Sequence, residues 1–105
     1  MNKIYIYDDL GSSELCTNEL LNCFKAIFTS ADIEKINGRF ILEGKLPEKD
    51  CTSIKKSLLC FGGGYDCGFL ESLNGKDGCN EIKRFVREGG NYLGYLDFFF
   101  RLLKN

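Results

Sequence analysis

The chain has 105 residues, a formal net charge of −1, 44% hydrophobic residues and 28% charged residues. This length suits one small domain, and the composition is ordinary for a globular protein. The near-zero charge gives no electrostatic case for nucleic acid or an anionic membrane as a partner. The sequence holds neither a signal-peptide pattern nor the ~20 consecutive apolar residues of a membrane span. It therefore predicts a cytoplasmic protein without a nucleic-acid or membrane partner.

The cysteines raise the question of disulfides or a metal site. None forms a Cys-x-x-Cys pair, and the chain has no histidine that could complete a mixed zinc site. Because no secretion signal is present, reduced thiols are expected, and no metal site is predicted. The six cysteines are Cys16, Cys23, Cys51, Cys60, Cys67 and Cys79.

The first part of the chain predicts a strand, a helix and a second strand. The β-branched and aromatic run Lys3–Tyr7 is typical of a strand. Ser12 or Ser13 can then cap a helix that has Glu14 in its first turn. Ala31–Ile36 indicates a weaker strand. An apolar stripe at helical spacing marks the face of the predicted helix that lies on the sheet: Leu20, Phe24, Ile27 and Phe28.

The middle of the chain is less regular. Within residues 38–50, Phe40–Leu42 fits either a short helical turn or a strand, and Pro47 ends it. The run Ser57–Phe61 is apolar almost throughout, which is typical of a strand buried on both faces.

The last part predicts a helix, a strand and a short final helix. Asn80 is expected to cap the helix, and Glu88–Gly90 to end it. Asn91–Leu96 follows as the last strand, and Asp97 can cap the final helix. The alternation of strands and helices predicts a single α/β domain over residues 1–105, a flavodoxin-like three-layer sandwich. Its mostly parallel sheet would have about four strands, with helices on both faces.

A glycine loop follows the third predicted strand. In doubly wound sheets, ligands bind beyond the carboxyl ends of the strands. Without Cβ atoms, the backbone N–H groups of Gly62, Gly63 and Gly64 can point at an anion or oxyanion. The alternative is a tight turn between a strand and a helix. The loop is neither a P-loop nor a dinucleotide fingerprint, so no cofactor is predicted.

The turns at the carboxyl edge of the sheet supply the predicted ligand-binding residues. A further alternative is that carboxylates at this rim act as a general base or bind a cation, although Asp more often caps helices and makes turns. The carboxylates concerned are Asp8, Asp9, Asp66 and Asp97. The predicted ligand-binding residues are Asp9, Gly11, Gly62, Gly63, Gly64 and Asp66.

Residues 58–94 resemble the amidotransferase-like N-terminal domain of eukaryotic biotin–protein ligases, within the class I glutamine amidotransferase-like superfamily. The start Ile4-Tyr5-Ile6-Tyr7, followed by a Gly/Ser turn and a long helix, also fits. The matching positions are Gly62, Gly63, Asp66, Leu73-Asn74-Gly75, Asn80, Ile82, Phe85, Val86, Gly89, Gly90 and Tyr92-Leu93-Gly94.

The chain departs from this family at the catalytic position. Where the family has Gly-Ile-Cys-Ala-Gly, the sequence reads Gly94-Tyr95-Leu96-Asp97-Phe98. Leu96 therefore falls on the nucleophilic cysteine, and a leucine cannot attack a carbonyl. Cys60 is expected to be buried in its strand. Cys67 is expected nearer the cleft, but no histidine is present to activate it. The resemblance thus implies a fold without catalytic residues.

The sequence leaves several functions open. The leading hypothesis is a non-catalytic, stand-alone relative that binds a small ligand or a protein partner. The alternative is a fragment or truncated form of a biotin–protein ligase or amidotransferase-like enzyme, and a weaker one is a flavodoxin-like nucleotide binder. Because the run Phe98–Leu103 is strongly apolar, we expect this end of a truncated domain either to fold over the sheet or to form a homodimer through residues 91–105.

Overall fold

The computed structural model describes residues 1–49, 52–64 and 66–94, the side chain of Asp66 excepted. Within them, four strands alternate with helices. The elements are β1 (Lys3–Tyr7), α1 (Glu14–Ile27), β2 (Asp32–Ile36), α2 (Gly38–Leu42), a 3-10 turn (Ile54–Lys56), β3 (Ser57–Cys60), α3 (Asp66–Ser72), α4 (Lys76–Arg87) and β4 (Asn91–Leu93).

The four strands form one parallel sheet in the order β2-β1-β3-β4. Tyr5 of β1 lies opposite Glu34 of β2 on one side and Leu59 of β3 on the other. Cys60 of β3 lies opposite Leu93 of β4. The chain moves from β1 outward to β2 and then returns past β1 to β3. The order therefore reverses between β1 and β3, which is where such sheets open a crevice for ligands.

The strand residues alternate between two buried faces, so the predicted three-layer sandwich is confirmed. On the α1 face, the side on which α1 packs, Phe24 of the helix covers Ile4, Ile6, Leu58 and Cys60. On the α4 face, the opposite side, α2, α3 and α4 cover Tyr5, Tyr7, Leu59 and Phe61.

Aromatic rings organise the α4 face beneath the carboxyl ends of the strands. Tyr7 stacks on Phe61 with ring centroids 4.4 Å apart. The edge of Phe69 from α3 meets both rings, at 5.2 and 5.3 Å. Tyr92 of β4 lies 6.0 Å from Phe61. Full burial of one such side chain contributes about 1.5–3 kcal/mol, so this cluster stabilises the packing of α3 on the carboxyl ends of β1 and β3.

The first three predicted elements are confirmed. Ser13 caps α1, because its hydroxyl oxygen accepts a hydrogen bond from the Cys16 amide at 3.4 Å. Of the two alternatives for Phe40–Leu42, the helical turn is correct: α2 is capped by Asn37, whose side-chain oxygen accepts from the Phe40 amide at 2.9 Å.

The prediction that Asn80 caps the next helix is wrong. Helix α4 begins at Lys76, so Asn80 lies inside it. Asn74 and Gly75 both have positive φ, 54° and 59°, and make a left-handed turn that separates α3 from α4. Helix α3 itself was not predicted. The continuation of the last strand to Leu96 and the helix after Asp97 lie outside the described residues.

Two further findings concern the class of protein. The described helices are all too short or too polar to cross a membrane. The described cysteines are free thiols: Cys16, Cys23, Cys60, Cys67 and Cys79.

Candidate functional site

The loops that follow β1 and β3 meet at the point where the strand order reverses. The Ser13 amide donates to the Gly63 carbonyl at 2.8 Å, and Ser12 and Gly64 form an isolated antiparallel bridge. A Cβ atom at Gly64 would overlap the carbonyl oxygen of Gly11. The crevice expected between β1 and β3 is therefore closed by direct backbone contact.

Gly11 is packed from a second direction by α3. A Cβ atom at Gly68 would overlap the backbone nitrogen and Cα of Gly11, whose φ is 88°. Gly11 and Gly64 were predicted to bind a ligand. In the structure their backbones form the contact between the two loops.

The carboxylate of Asp9 is occupied by backbone groups. One oxygen accepts from the Leu10 amide at 2.8 Å, and the other accepts from the Gly38 amide at 2.9 Å, in the first turn of α2. Asp8 lies 4.0 Å from the Lys35 ammonium. Within the described part of the chain, no group of three or more Cys, Asp or Glu side chains is placed to hold a metal ion. The Asp66 side chain and Asp97 lie outside that part.

Tyr7 supports the loop after β1 from below. Its hydroxyl donates to the Leu10 carbonyl at 2.6 Å and is in hydrogen-bond contact with the Ser72 hydroxyl at the end of α3. Burial raises the pKa of Tyr7 to about 12, so the phenol is neutral at physiological pH. From the sequence alone Tyr7 is only a strand residue, since its partner Ser72 is distant in the chain.

A cleft of about 580 Å³ opens beside the closed crevice, on the α1 face between α1 and the carboxyl ends of β3 and β4. This volume falls within the range of small-molecule sites, about 300–1,000 Å³. The described residues of its walls are mostly apolar, and Glu19 is the charged one among them. The lining residues are Cys16, Glu19, Leu20, Cys23, Cys60, Phe61, Gly62, Gly63, Leu93 and Gly94.

The amides of Gly62 and Gly63 are the polar groups of greatest interest in the cleft. Among the described residues, neither amide has a hydrogen-bond acceptor, although the Gly63 carbonyl accepts from Ser13. Gly62 is buried. A buried N–H group without an acceptor costs roughly 1–3 kcal/mol, so a ligand oxygen that accepts from it would recover this energy. Two successive glycine amides suit a carboxylate or carbonyl oxygen.

Three thiols also line the cleft. Cys60 is buried as expected, and burial raises its pKa to about 12, so it is neither ionised nor nucleophilic at neutral pH. Cys16 and Cys23 lie on α1. Cys67 is exposed on α3 and is not among the described residues that line this cleft.

The α1 wall of the cleft was missed in the sequence. Cys16, Leu20 and Cys23 recur at spacings of four and three, which places them on one side of the helix. This stripe lies beside the predicted core stripe that contains Phe24. Of the three residues, the core prediction included Leu20 alone. The predicted residues that do line the cleft are Gly62 and Gly63.

The family described as biotin-protein ligase, N terminal, matches residues 1–96. A protein of Chlamydia muridarum (strain MoPn / Nigg), described as an uncharacterized protein, is 31% identical over 96 residues. That match covers 90% of this chain but 35% of the relative, so the chain spans about a third of its length. No solved structure matches. Because the family match extends over nearly the whole sequence, the chain belongs to the biotin-protein ligase N-terminal domain family.

Proposed function

We propose that this domain binds a small molecule in the cleft between α1 and the ends of β3 and β4, without catalysing a reaction on it. The observation that carries the proposal is the pair of amides, Gly62 and Gly63, at one end of an apolar cleft, for which the described residues supply no acceptor. The complementary ligand has a carboxylate or carbonyl oxygen for the amides and an apolar body for the walls formed by Leu20 and Leu93.

The non-catalytic part of the proposal is supported by the residue types in the chain. The family resemblance puts the nucleophilic cysteine at position 96, where this sequence has leucine, and the chain has no histidine. Cys60 is held protonated by burial. We also propose a cytoplasmic location, because the sequence has no secretion signal and its cysteines suit a reducing compartment.

The first test is a ligand-induced change in melting temperature with three probes: acetate, hexanoate and glutamine. Hexanoate is expected to raise the melting temperature, and acetate, which lacks the apolar body, to raise it less. A ligand at 100 times its Kd stabilises the native state by about 2.7 kcal/mol, which is readily measured for a small domain. If none of the three raises the melting temperature, the binding proposal is contradicted.

Two variants locate the binding. Leu93→Trp fills the cleft from β4, where the side chain is 48% exposed, and should abolish the shift. Leu15→Trp is the matched control, because Leu15 is 69% exposed on α1 and does not line the cleft. Equal shifts in both variants would place the ligand elsewhere. Release of ammonia from glutamine above the rate of the buffer would overturn the non-catalytic part.

A second candidate is that this domain serves as one part of a longer ligase-like polypeptide. The observation that favours it is the Chlamydia relative, of which the matched region covers 35%. The test is the intact mass of the protein from its natural source together with its transcript. A product with a downstream ligase domain supports this candidate, and a product of 11.9 kDa contradicts it.

A further inference from the structure

The chain contains two Asn-Gly sequences, Asn37-Gly38 and Asn74-Gly75. Asparagine before glycine is prone to spontaneous deamidation, because glycine has no Cβ atom to shield its backbone nitrogen. That nitrogen loses its proton and attacks the side-chain carbonyl carbon, a cyclic succinimide forms, and the carboxamide nitrogen takes up a proton and leaves as ammonia. Water then opens the ring to aspartate or isoaspartate. The sequence alone rates the two sites equally, so their surroundings in the structure distinguish them.

At Asn37-Gly38 both reacting groups are held. The side-chain oxygen of Asn37 caps α2 and accepts from the Phe40 amide at 2.9 Å, and the Gly38 amide donates to the Asp9 carboxylate at 2.9 Å. The negative charge beside the Gly38 nitrogen also opposes the loss of its proton. Gly38 is buried, and a Cβ atom on it would overlap the backbone carbonyl of Ser72. The reaction at Asn37 therefore requires the first turn of α2 to open and to leave the end of α3.

The turn between α3 and α4 leaves Asn74-Gly75 far more open. Both residues have positive φ, 54° and 59°, and Asn74 is exposed. Apart from its neighbours in the chain, no described atom lies within 4 Å of the place that a Cβ atom would take on Gly75. The Gly75 amide donates to the Leu70 carbonyl at 2.8 Å, and the Asn74 side-chain nitrogen donates to the Asp77 carboxylate at 2.9 Å. Because both bonds belong to one exposed turn, a small local opening releases both reacting groups.

We propose that Asn74 is a site of spontaneous deamidation in the folded protein, whereas Asn37 is protected by the fold. The hydrogen bond to Asp77 sets the rate at Asn74, because it holds the carboxamide in one orientation. The product places a carboxylate next to Asp77, where a hydrogen-bond donor stood, and isoaspartate adds an extra carbon atom to the backbone of the turn. Both changes weaken the junction between α3 and α4. The inference goes beyond the proposed function and holds whether or not a ligand binds.

Mass spectrometry of tryptic peptides measures both sites in one sample. Trypsin places Asn37 in peptide 36–39 and Asn74 in peptide 57–76, and each peptide holds a single carboxamide side chain. The folded protein is incubated at mildly alkaline pH beside a sample unfolded in urea, in which the two sites should react at similar rates. In the folded protein Asn74 should react about ten times faster than Asn37, which corresponds to about 1.4 kcal/mol in activation free energy.

The ratio of the two rates in the folded protein decides the result. Equal rates, or a faster reaction at Asn37, would overturn the assignment. The assignment would also be wrong if neither site reacted in the folded protein over a period in which both react to completion in urea. This comparison uses the wild-type chain, so it stands even if a variant fails to fold.

Asp77→Ala tests the control of the rate at Asn74. The substitution removes the acceptor of the Asn74 side chain and should speed the reaction there about two- to fivefold, the effect of losing an exposed hydrogen bond. The rate at Asn37 should not change. Glu71→Ala, which removes an exposed carboxylate from α3, is the matched control and should alter neither rate. An unchanged rate at Asn74 in Asp77→Ala would contradict the role of this hydrogen bond.

Asp9→Ala is the reciprocal test. It removes both the acceptor of the Gly38 amide and the negative charge beside it, so the reaction at Asn37 should become faster while Asn74 keeps its wild-type rate. Asp8→Ala is the matched control, because Asp8 faces Lys35 instead. If Asp9→Ala and Asp77→Ala each speed both sites alike, the rates follow global unfolding, and the proposed local control is wrong.

Discussion

Gly68→Ala tests the contact that closes the crevice between β1 and β3. Gly68 lies in α3, and its Cα faces the backbone of Gly11 in the loop after β1. An added methyl group would overlap the nitrogen and Cα of Gly11. These are backbone atoms, so they cannot move aside as a flexible side chain would. Either the loop after β1 or the start of α3 has to shift.

The size of the effect follows from two opposing terms. Alanine is favoured over glycine inside an unobstructed helix by up to about 1 kcal/mol. Overpacking by one methyl group in a closely packed region costs about 1–3 kcal/mol. The overlap involves two backbone atoms, so the second term should win and the free energy of unfolding should fall by about 1–2 kcal/mol. At about 4–8 °C per kcal/mol, the melting temperature should fall by several degrees.

The assay is urea unfolding followed by far-ultraviolet circular dichroism, because the chain has no tryptophan. Glu71→Ala, an exposed change in the same helix, is the control and should change stability by less than about 0.5 kcal/mol. The sign of the change decides the result. A Gly68→Ala protein as stable as the wild type, or more stable, would refute the close approach of α3 to Gly11.

Three further predictions concern buried and capping groups. Burial raises the pKa of Cys60 from 9.0 and the pKa of Tyr7 from 10.0, both to about 12. Both groups therefore ionise first in the unfolded chain. The free energy of unfolding falls from about pH 9 upward, by up to about 1.4 kcal/mol per pH unit and group. Urea midpoints between pH 8 and pH 10 should therefore decline in the wild type and decline less in Cys60→Ala; equal slopes would contradict the burial of this thiol. Asp9→Ala should lower the free energy of unfolding by about 0.5–2 kcal/mol, because the first amide of α2 loses its acceptor, while Asp8→Ala should have little effect in the same denaturation experiment. Thr17→Val should be neutral or stabilising by about 1 kcal/mol in thermal unfolding, because the hydroxyl of Thr17 is buried without a partner among the described residues; a clear loss of stability would show that it has one.

The elements that the sequence predicted correctly are those with strong local signals. The Lys3–Tyr7 run alternates between two buried faces, and α1 has both a serine cap and a long apolar stripe. Helix α3 was missed because it has seven residues and contains Gly68, whose role depends on a loop more than fifty positions earlier in the chain.

The cap at Asn80 and the roles of the loop glycines also depend on contacts that are distant in the chain. Asn80 is a residue type that often caps helices. However, the turn at Asn74-Gly75, where both residues have positive φ, leads directly into α4 at Lys76, so Asn80 lies inside the helix. A glycine in such a loop suits either a backbone amide that faces a ligand or a tight turn, and the sequence alone leaves both open. Gly62 and Gly63 do line the cleft, whereas Gly11 and Gly64 are used by the contact between two loops. Whether a loop glycine lines the cleft or forms the contact between the loops depends on how the two loops lie relative to each other, and tertiary packing sets that arrangement.

The most direct measurement of the central claim is a titration of the ¹⁵N-labelled protein with hexanoate, followed through the amide resonances of Gly62 and Gly63. The account predicts saturable shifts at these two glycines, little change at Gly75, which lies in open space away from the cleft, and loss of the shifts in Leu93→Trp. Shifts that are as large at Gly75 as at Gly62 and Gly63, or that persist in Leu93→Trp, would contradict binding at the cleft.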